Sequence, residues 1–277
     1  MKLIVEMLSY PFLVRAFVGG ILVSLCAALL GVSLVLKRYS MIGDGLSHVS
    51  FGALSVALAA GWAPLTVSIP VVVLAAFFLL RLTENSKVRS DGAIAMISAV
   101  SLATGIVATS LTTGLTTDVS SYMFGSILAM TPADVKLSAG LSAVVLGLFL
   151  FCYNKIFAVT FDENFARATG VNVSLYNILT AVLTAVTIVL GMRMMGAMLI
   201  SSLIIFPALT SMRLFKSFKG VVLSSGLVAV VCFCGGMIGS YRFSTPAGAS
   251  VVLANMGAFG LFWLTARIRE VWYGRKK

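Results

Sequence analysis

The sequence predicts an all-α polytopic membrane helical bundle of about eight to nine transmembrane helices, and three observations predict it. Hydrophobic residues make up 60 % of the chain and charged residues 10 %, against roughly 45–50 % and 25 % in soluble domains. Apolar stretches near the roughly 20 residues needed to cross a hydrocarbon core recur from Phe12 almost to the C-terminus. The basic residues gather mainly between those stretches. In lipid the backbone must satisfy its polar groups within each segment, so the spans are helices.

In chain order the apolar segments are 12–36, 45–60, 63–82, 92–111, 133–153, 175–193, 196–214, 220–240 and 246–266. The run after Lys2 continues to Leu36 with no small-residue cleavage signature, so it reads as retained rather than as a signal peptide. The second segment is short and rich in Gly and Ser. The sixth and seventh meet at "GMRMMG", which also fits one broken helix, and these two features keep the number at eight to nine. Pro207, in "LISSLIIFPALTS", frees a backbone carbonyl and predicts a kink. Stretches such as "AFVGGILVSLCAALLG" allow close helix approach. One transmembrane domain over 1–277 is expected.

With nine crossings and the C-terminus inside, only Lys2, Arg15, Lys136, Arg193 and Arg242 of the 20 basic residues fall outside, leaving 15 inside. That asymmetry satisfies the positive-inside rule, and it removes any need to invoke nucleic acid for the +11 charge. Eight crossings would put the N-terminus on the other side. Cys26, Cys152, Cys232 and Cys234 lie in or at the ends of apolar runs and suggest no disulfide framework. Cys232 and Cys234 would point roughly 200° apart on a helix, a poor arrangement for sharing a metal ion.

The longest internal polar stretch, 154–174, is predicted to be cytosolic and is far longer than the roughly four residues a helix connection needs. Within it Asp162 can cap a short helix, Glu163 suits its first turn, Phe165 and Ala168 share a face and Gly170 can end it. A helix lying at the membrane surface is expected there. The polar pieces are too small for a soluble catalytic core. The dipeptide Gly-Lys required by a nucleotide-binding P-loop never occurs.

Candidate chemistry sits in "KRYSMIGDGLSHVS". Asp44 and His48, the chain's single histidine, are spaced i, i+4 and share one helix face. Carboxylate oxygen and imidazole nitrogen together suit Zn²⁺, Mn²⁺ or Fe²⁺ and are too hard for Cu(I). An ionisable residue within a membrane segment marks a functional site by default. The plainer alternative is that Asp44 caps the second helix and His48 lies at headgroup level. Two ligands fall short of the four of a closed zinc site, which suits a site that must release its ion; a second copy could bring another pair. Met192, Met194, Met195 and Met198 offer thioethers, but with no Cys or His joining them they read as packing.

Four segments carry a family resemblance: "LVLKRYSMIGDGLSHVSFGAL", "SSYMFGSILAMTPAD", "FDENFARATGVN", and "GAMLISSLIIFPALTSMRL" with "TPAGASVVLAN". Together, in this order, they resemble the integral-membrane permeases of bacterial ABC importers for zinc and manganese. The resemblance implies a multi-pass protein of the bacterial cytoplasmic membrane that is not itself an enzyme. It also implies a cytosolic ABC ATPase subunit that binds ATP, an extracellular metal-binding lipoprotein and a second permease copy, with membrane lipid around them. By residue match Asp44 and His48 would line the metal path. Asp162, Glu163, Phe165, Ala166, Arg167, Ala168, Gly170 and Val171 would form the helix that seats in the ATPase, with Phe165 and Val171 as its apolar anchors. No permanently bound cofactor is implied; zinc or manganese is the transported ion, with zinc ahead on overall likeness. The rival readings are an ion-coupled secondary transporter in which the Asp–His pair relays protons, an ABC permease for a siderophore or corrinoid, and a purely structural membrane protein.

Overall fold

The computed structural model describes residues 6, 7, 9–85, 90–111 and 131–274, nearly all of them helical. The segment "SSYMFGSILAMTPAD" therefore lies outside the described residues up to Met130. The helices are α1 (Pro11–Leu36), α2 (Ser40–Ala59), α3 (Pro64–Asn85), α4 (Ser90–Leu111), α5 (Pro132–Phe151), α6 (Tyr153–Phe161), α7 (Glu163–Ala168), α8 (Val173–Met195), α9 (Ala197–Met212), α10 (Phe218–Phe243) and α11 (Ala247–Gly274).

Local chemistry sets several of these ends. Pro11 opens α1, where its missing N–H costs nothing. Thr131 and Asp134 form a reciprocal capping box on α5. The side chains of Asn172 and Ser217 cap α8 and α10 by accepting from Leu175 N and Gly220 N. The α1–α2 turn is a Schellman motif: Tyr39 N donates to Leu34 O (2.7 Å) and Arg38 N to Val35 O (3.1 Å). Arg38 occupies its left-handed position, with φ 62°.

Among the described residues eight helices are long and apolar enough to cross a membrane, and α9, at 16 residues, is shorter. The "GMRMMG" junction is a reversal rather than a break within one helix. Gly196 adopts φ 88°, ψ 161°, open to glycine and strained for other residues. Beyond it Ile200 folds back onto α8, so that a Cβ on Gly191 would lie 2.4 Å from Ile200 Cδ1. Helix α9 spans about 24 Å and continues through Pro207. The nearby serines bond elsewhere, Ser202 Oγ to Leu199 O (2.9 Å) and Ser201 Oγ with Ser47 Oγ (3.1 Å).

The bundle is built around α1 and α2. Helix α1 packs on α5, α8, α9 and α10, and α2 packs most extensively on α4 and α3. Between helices in lipid, close backbone approach supplies what the hydrophobic effect supplies in water. Gly31 of α1 meets the carbonyl of Ile204 on α9, and Gly52 of α2 meets that of Ser101 on α4. Met192, Met194 and Met195 are buried in this core. Helices α4, α5 and α11 are peripheral and expose apolar residues such as Val100, Val144 and Leu261.

Candidate functional site: a carboxylate and an imidazole on the uncovered stripe of α2

Because the Schellman turn lets α2 begin at Ser40 with Tyr39 before it, Asp44 lies inside the helix. That excludes the capping reading of Asp44. Rising 1.5 Å per residue, α2 places Asp44 and His48 about 6 and 12 Å from its start. Ile42, Leu46 and Val49 face the core, whereas Met41, Asp44 and His48 form a stripe that the chain leaves partly uncovered. The side chains of Asp44 and His48 are 42 % and 22 % exposed.

The neighbours of that stripe are fixed by small residues. A Cβ on Gly43 would touch Ile204 of α9, and one on Gly45 would press on Ile94 of α4. Ser47 Oγ donates to Asp44 O at 2.7 Å while lying 3.1 Å from Ser201 Oγ of α9. The pair thus sits between α4 and α9.

His48 Nε2 lies 3.7 Å from Asp44 Oδ2, too far for a hydrogen bond. His48 Nδ1 is buried without a partner in the described structure. For an ion held at about 2.1 Å by each atom, the distance between ligands is about 3.4 Å at the tetrahedral angle, so the observed gap needs only a slightly wider bite. Among the described residues no group of three or more His, Cys, Asp or Glu side chains gathers to hold a metal. Among the described residues Asp44 and His48 therefore stand as a pair of candidate ligands.

The sequence-predicted surface helix is α7. Asp162 Oδ1 accepts from Asn164 N (3.0 Å) and Phe165 N (2.9 Å). Gly170, at φ 81°, closes a second Schellman turn in which Val171 N donates to Ala166 O at 2.9 Å. Phe165, Arg167, Ala168 and Gly170 face outward, Phe165 being 62 % exposed. Ala166 is buried, and Val171 packs with Val159 and Val173 rather than projecting as Phe165 does.

Sequence reasoning did not find the contact that ties α7 to the bundle. Lys37 Nζ, at the end of α1, donates to Glu163 Oε1 (2.7 Å) and to Asn177 Oδ1 (2.5 Å), and Asn177 Nδ2 donates to Glu163 Oε1 (3.2 Å). Burial tends to raise the Glu163 carboxyl. The Lys37 hydrogen bond and charge, the Asn177 amide and the Arg167 charge outweigh it, and the carboxyl is held below its ordinary range. At the other end of α8, about 24 Å away, Arg193 pairs with Asp134 at 3.0 Å. The one sequence signal for the first contact was a polar residue, Asn177, near the start of an apolar segment.

The ABC 3 transport family matches residues 9–265. The chain belongs to this family. High-affinity zinc uptake system membrane protein ZnuB of Haemophilus influenzae is 28 % identical over 253 residues, 91 % of this chain and 97 % of that protein. Manganese transport system membrane protein MntC of Halalkalibacterium halodurans is 25 % identical over 275 residues, covering 98 % and 94 %. The solved structure of PsaBC from Streptococcus pneumoniae in complex with Fab aligns with TM-score 0.85 and 28 % identity over 95 % of this chain and 94 % of that one. As an ABC 3 transport family member, the chain is a metal-type ABC permease, a multi-pass protein of the bacterial cytoplasmic membrane.

Proposed function

We propose that the chain is the membrane path of an ATP-driven importer for a divalent transition metal, with zinc ahead of manganese. The observation that carries this reading is the Asp44–His48 pair, spaced for one ion and set on a stripe that the described residues leave partly uncovered. Two ligands from one chain and two from a second copy facing it would complete a four-ligand, releasable site. Zinc stands ahead because affinity of nitrogen-containing sites rises from manganese to zinc; zinc and manganese systems are both among the relatives.

ATP belongs to a separate cytosolic ATPase, and the ion arrives from an extracellular metal-binding lipoprotein. The exposed face of α7, led by Phe165, is the seat for the ATPase. Its motion reaches the metal site through Glu163 and Lys37, because Lys37 lies in the turn that leads into α2, seven residues before Asp44. Pressing or releasing α7 moves that turn and with it the stripe.

The test is ATP-dependent uptake of zinc and of manganese by the complex in proteoliposomes. Asp44→Asn and His48→Ala are each expected to lower uptake by at least about tenfold while the complex still assembles. Undiminished uptake by both variants overturns the assigned site. Uptake by the permease alone, without ATP, would make it an ion-coupled transporter.

A further inference from the structure

On the face formed by α1, α5 and α10, away from the Asp44–His48 stripe, lies an apolar groove of about 820 Å³ lined by residues such as Leu25, Leu29, Leu146 and Leu223. Leu223 and Leu227 are exposed on it. Its depth depends on Gly226, where a Cβ would already come within 3.0 Å of Leu25 Cδ1. Tyr153, Asn154 and Lys219 line one end. The Tyr153 ring is fixed against Phe149 and Phe218, with centroids 6.4 and 5.4 Å away. Lys219 has no ion pair and Asn154 no side-chain hydrogen bond among the described residues.

The groove reaches along α10 from Lys219 to Val230, eleven residues or about 16 Å. Half of a hydrocarbon core about 30 Å thick is about 15 Å, so the groove is one leaflet deep. Its charged end holds Lys219, which follows Arg213 and Lys216 in the chain, on the side that the positive-inside rule assigns to the cytosol. An aromatic hydroxyl, an amide and an ammonium at headgroup level, above a slot for acyl chains, match a phosphate-bearing lipid of net negative charge.

We propose that this groove is a binding site for an anionic phospholipid of the cytosolic leaflet. Lys219 and Asn154 contact the phosphate, and the acyl chains lie over Gly226. The site is independent of the metal path.

The test is native mass spectrometry of the delipidated full-length permease, titrated with phosphatidylglycerol or phosphatidylcholine. The unaltered protein is expected to retain phosphatidylglycerol about fivefold better than phosphatidylcholine. Lys219→Glu removes that preference, and Lys216→Glu, outside the groove, keeps it. Gly226→Leu fills the slot and lowers retention of both lipids. Lys219 is exposed, so its replacement leaves the core intact. Equal retention of the two lipids by the unaltered protein, or a preference that survives Lys219→Glu, overturns the proposal. So does full retention by Gly226→Leu.

Discussion

Glu163 has a measurable pH signature. Its folded-state pKa is depressed by Lys37, Asn177 and Arg167 against the opposing effect of burial, so it stabilises the fold above its unfolded value of about 4.3. That contribution is lost as pH falls through the lower folded value. Glu163→Gln keeps an acceptor for Lys37 and discards the charge. With the side chain 36 % exposed, the loss is expected to be about 1 kcal/mol at neutral pH. Thermal unfolding of the two proteins should differ at neutral pH and converge in acid; a gap that persists unchanged would show that the carboxylate charge is not what Lys37 reads. At this scale the sequence discloses pairs one helical turn apart, hence Asp44 with His48. Lys37 and Glu163 are 126 residues apart, and no local periodicity relates them. The same is true of Asp134 and Arg193, which meet because α5 and α8 bring two membrane-interface residues together.

Among the helices, the positions that matter most are those where backbones touch. At Gly31 an added Cβ would fall 2.0 Å from the Ile204 carbonyl oxygen, so α1 and α9 must separate to admit it. Gly31→Ala is expected to destabilise the bundle by about 1–3 kcal/mol or more. Gly147, on the peripheral α5, has nothing within 4 Å of its Cβ position, and Gly147→Ala should gain about 0.5–1 kcal/mol from the reduced freedom of the unfolded chain. Melting temperatures of the two variants in detergent should move in opposite directions. Nothing in the sequence separates these glycines, because each stands in an apolar helix and only the neighbour differs. The start of α2 was hidden for a related reason. Its preceding turn places Arg38 where glycine is the usual signal, so the segment reads as beginning at 45, after Asp44 instead of before it. The spans themselves were legible, since twenty apolar residues in lipid have one helical solution.

Across the whole molecule, α1 and α2 are central by packing, yet α2 leaves Met41, Asp44 and His48 partly uncovered. A stripe with a carboxylate and an imidazole is costly to turn toward acyl chains, so a protein surface is the expected cover. If a second copy supplies it, the two stripes face one another and Met41, 45 % exposed and one turn before Asp44, lies beside its counterpart. In a background with the four native cysteines replaced by alanine, Met41→Cys should form a disulfide-linked dimer on mild oxidation in membranes. That bond requires Cα atoms within about 7 Å. Leu223→Cys, 71 % exposed on the α1–α5–α10 face, should remain monomeric. Excess zinc bound between two Asp44–His48 pairs should change the rate of Met41→Cys cross-linking and leave the Leu223→Cys control unaltered. A cross-link only to a different permease chain would assign the cover to a related partner. Dimers through Leu223→Cys and none through Met41→Cys would turn the stripe toward lipid and remove the four-ligand site.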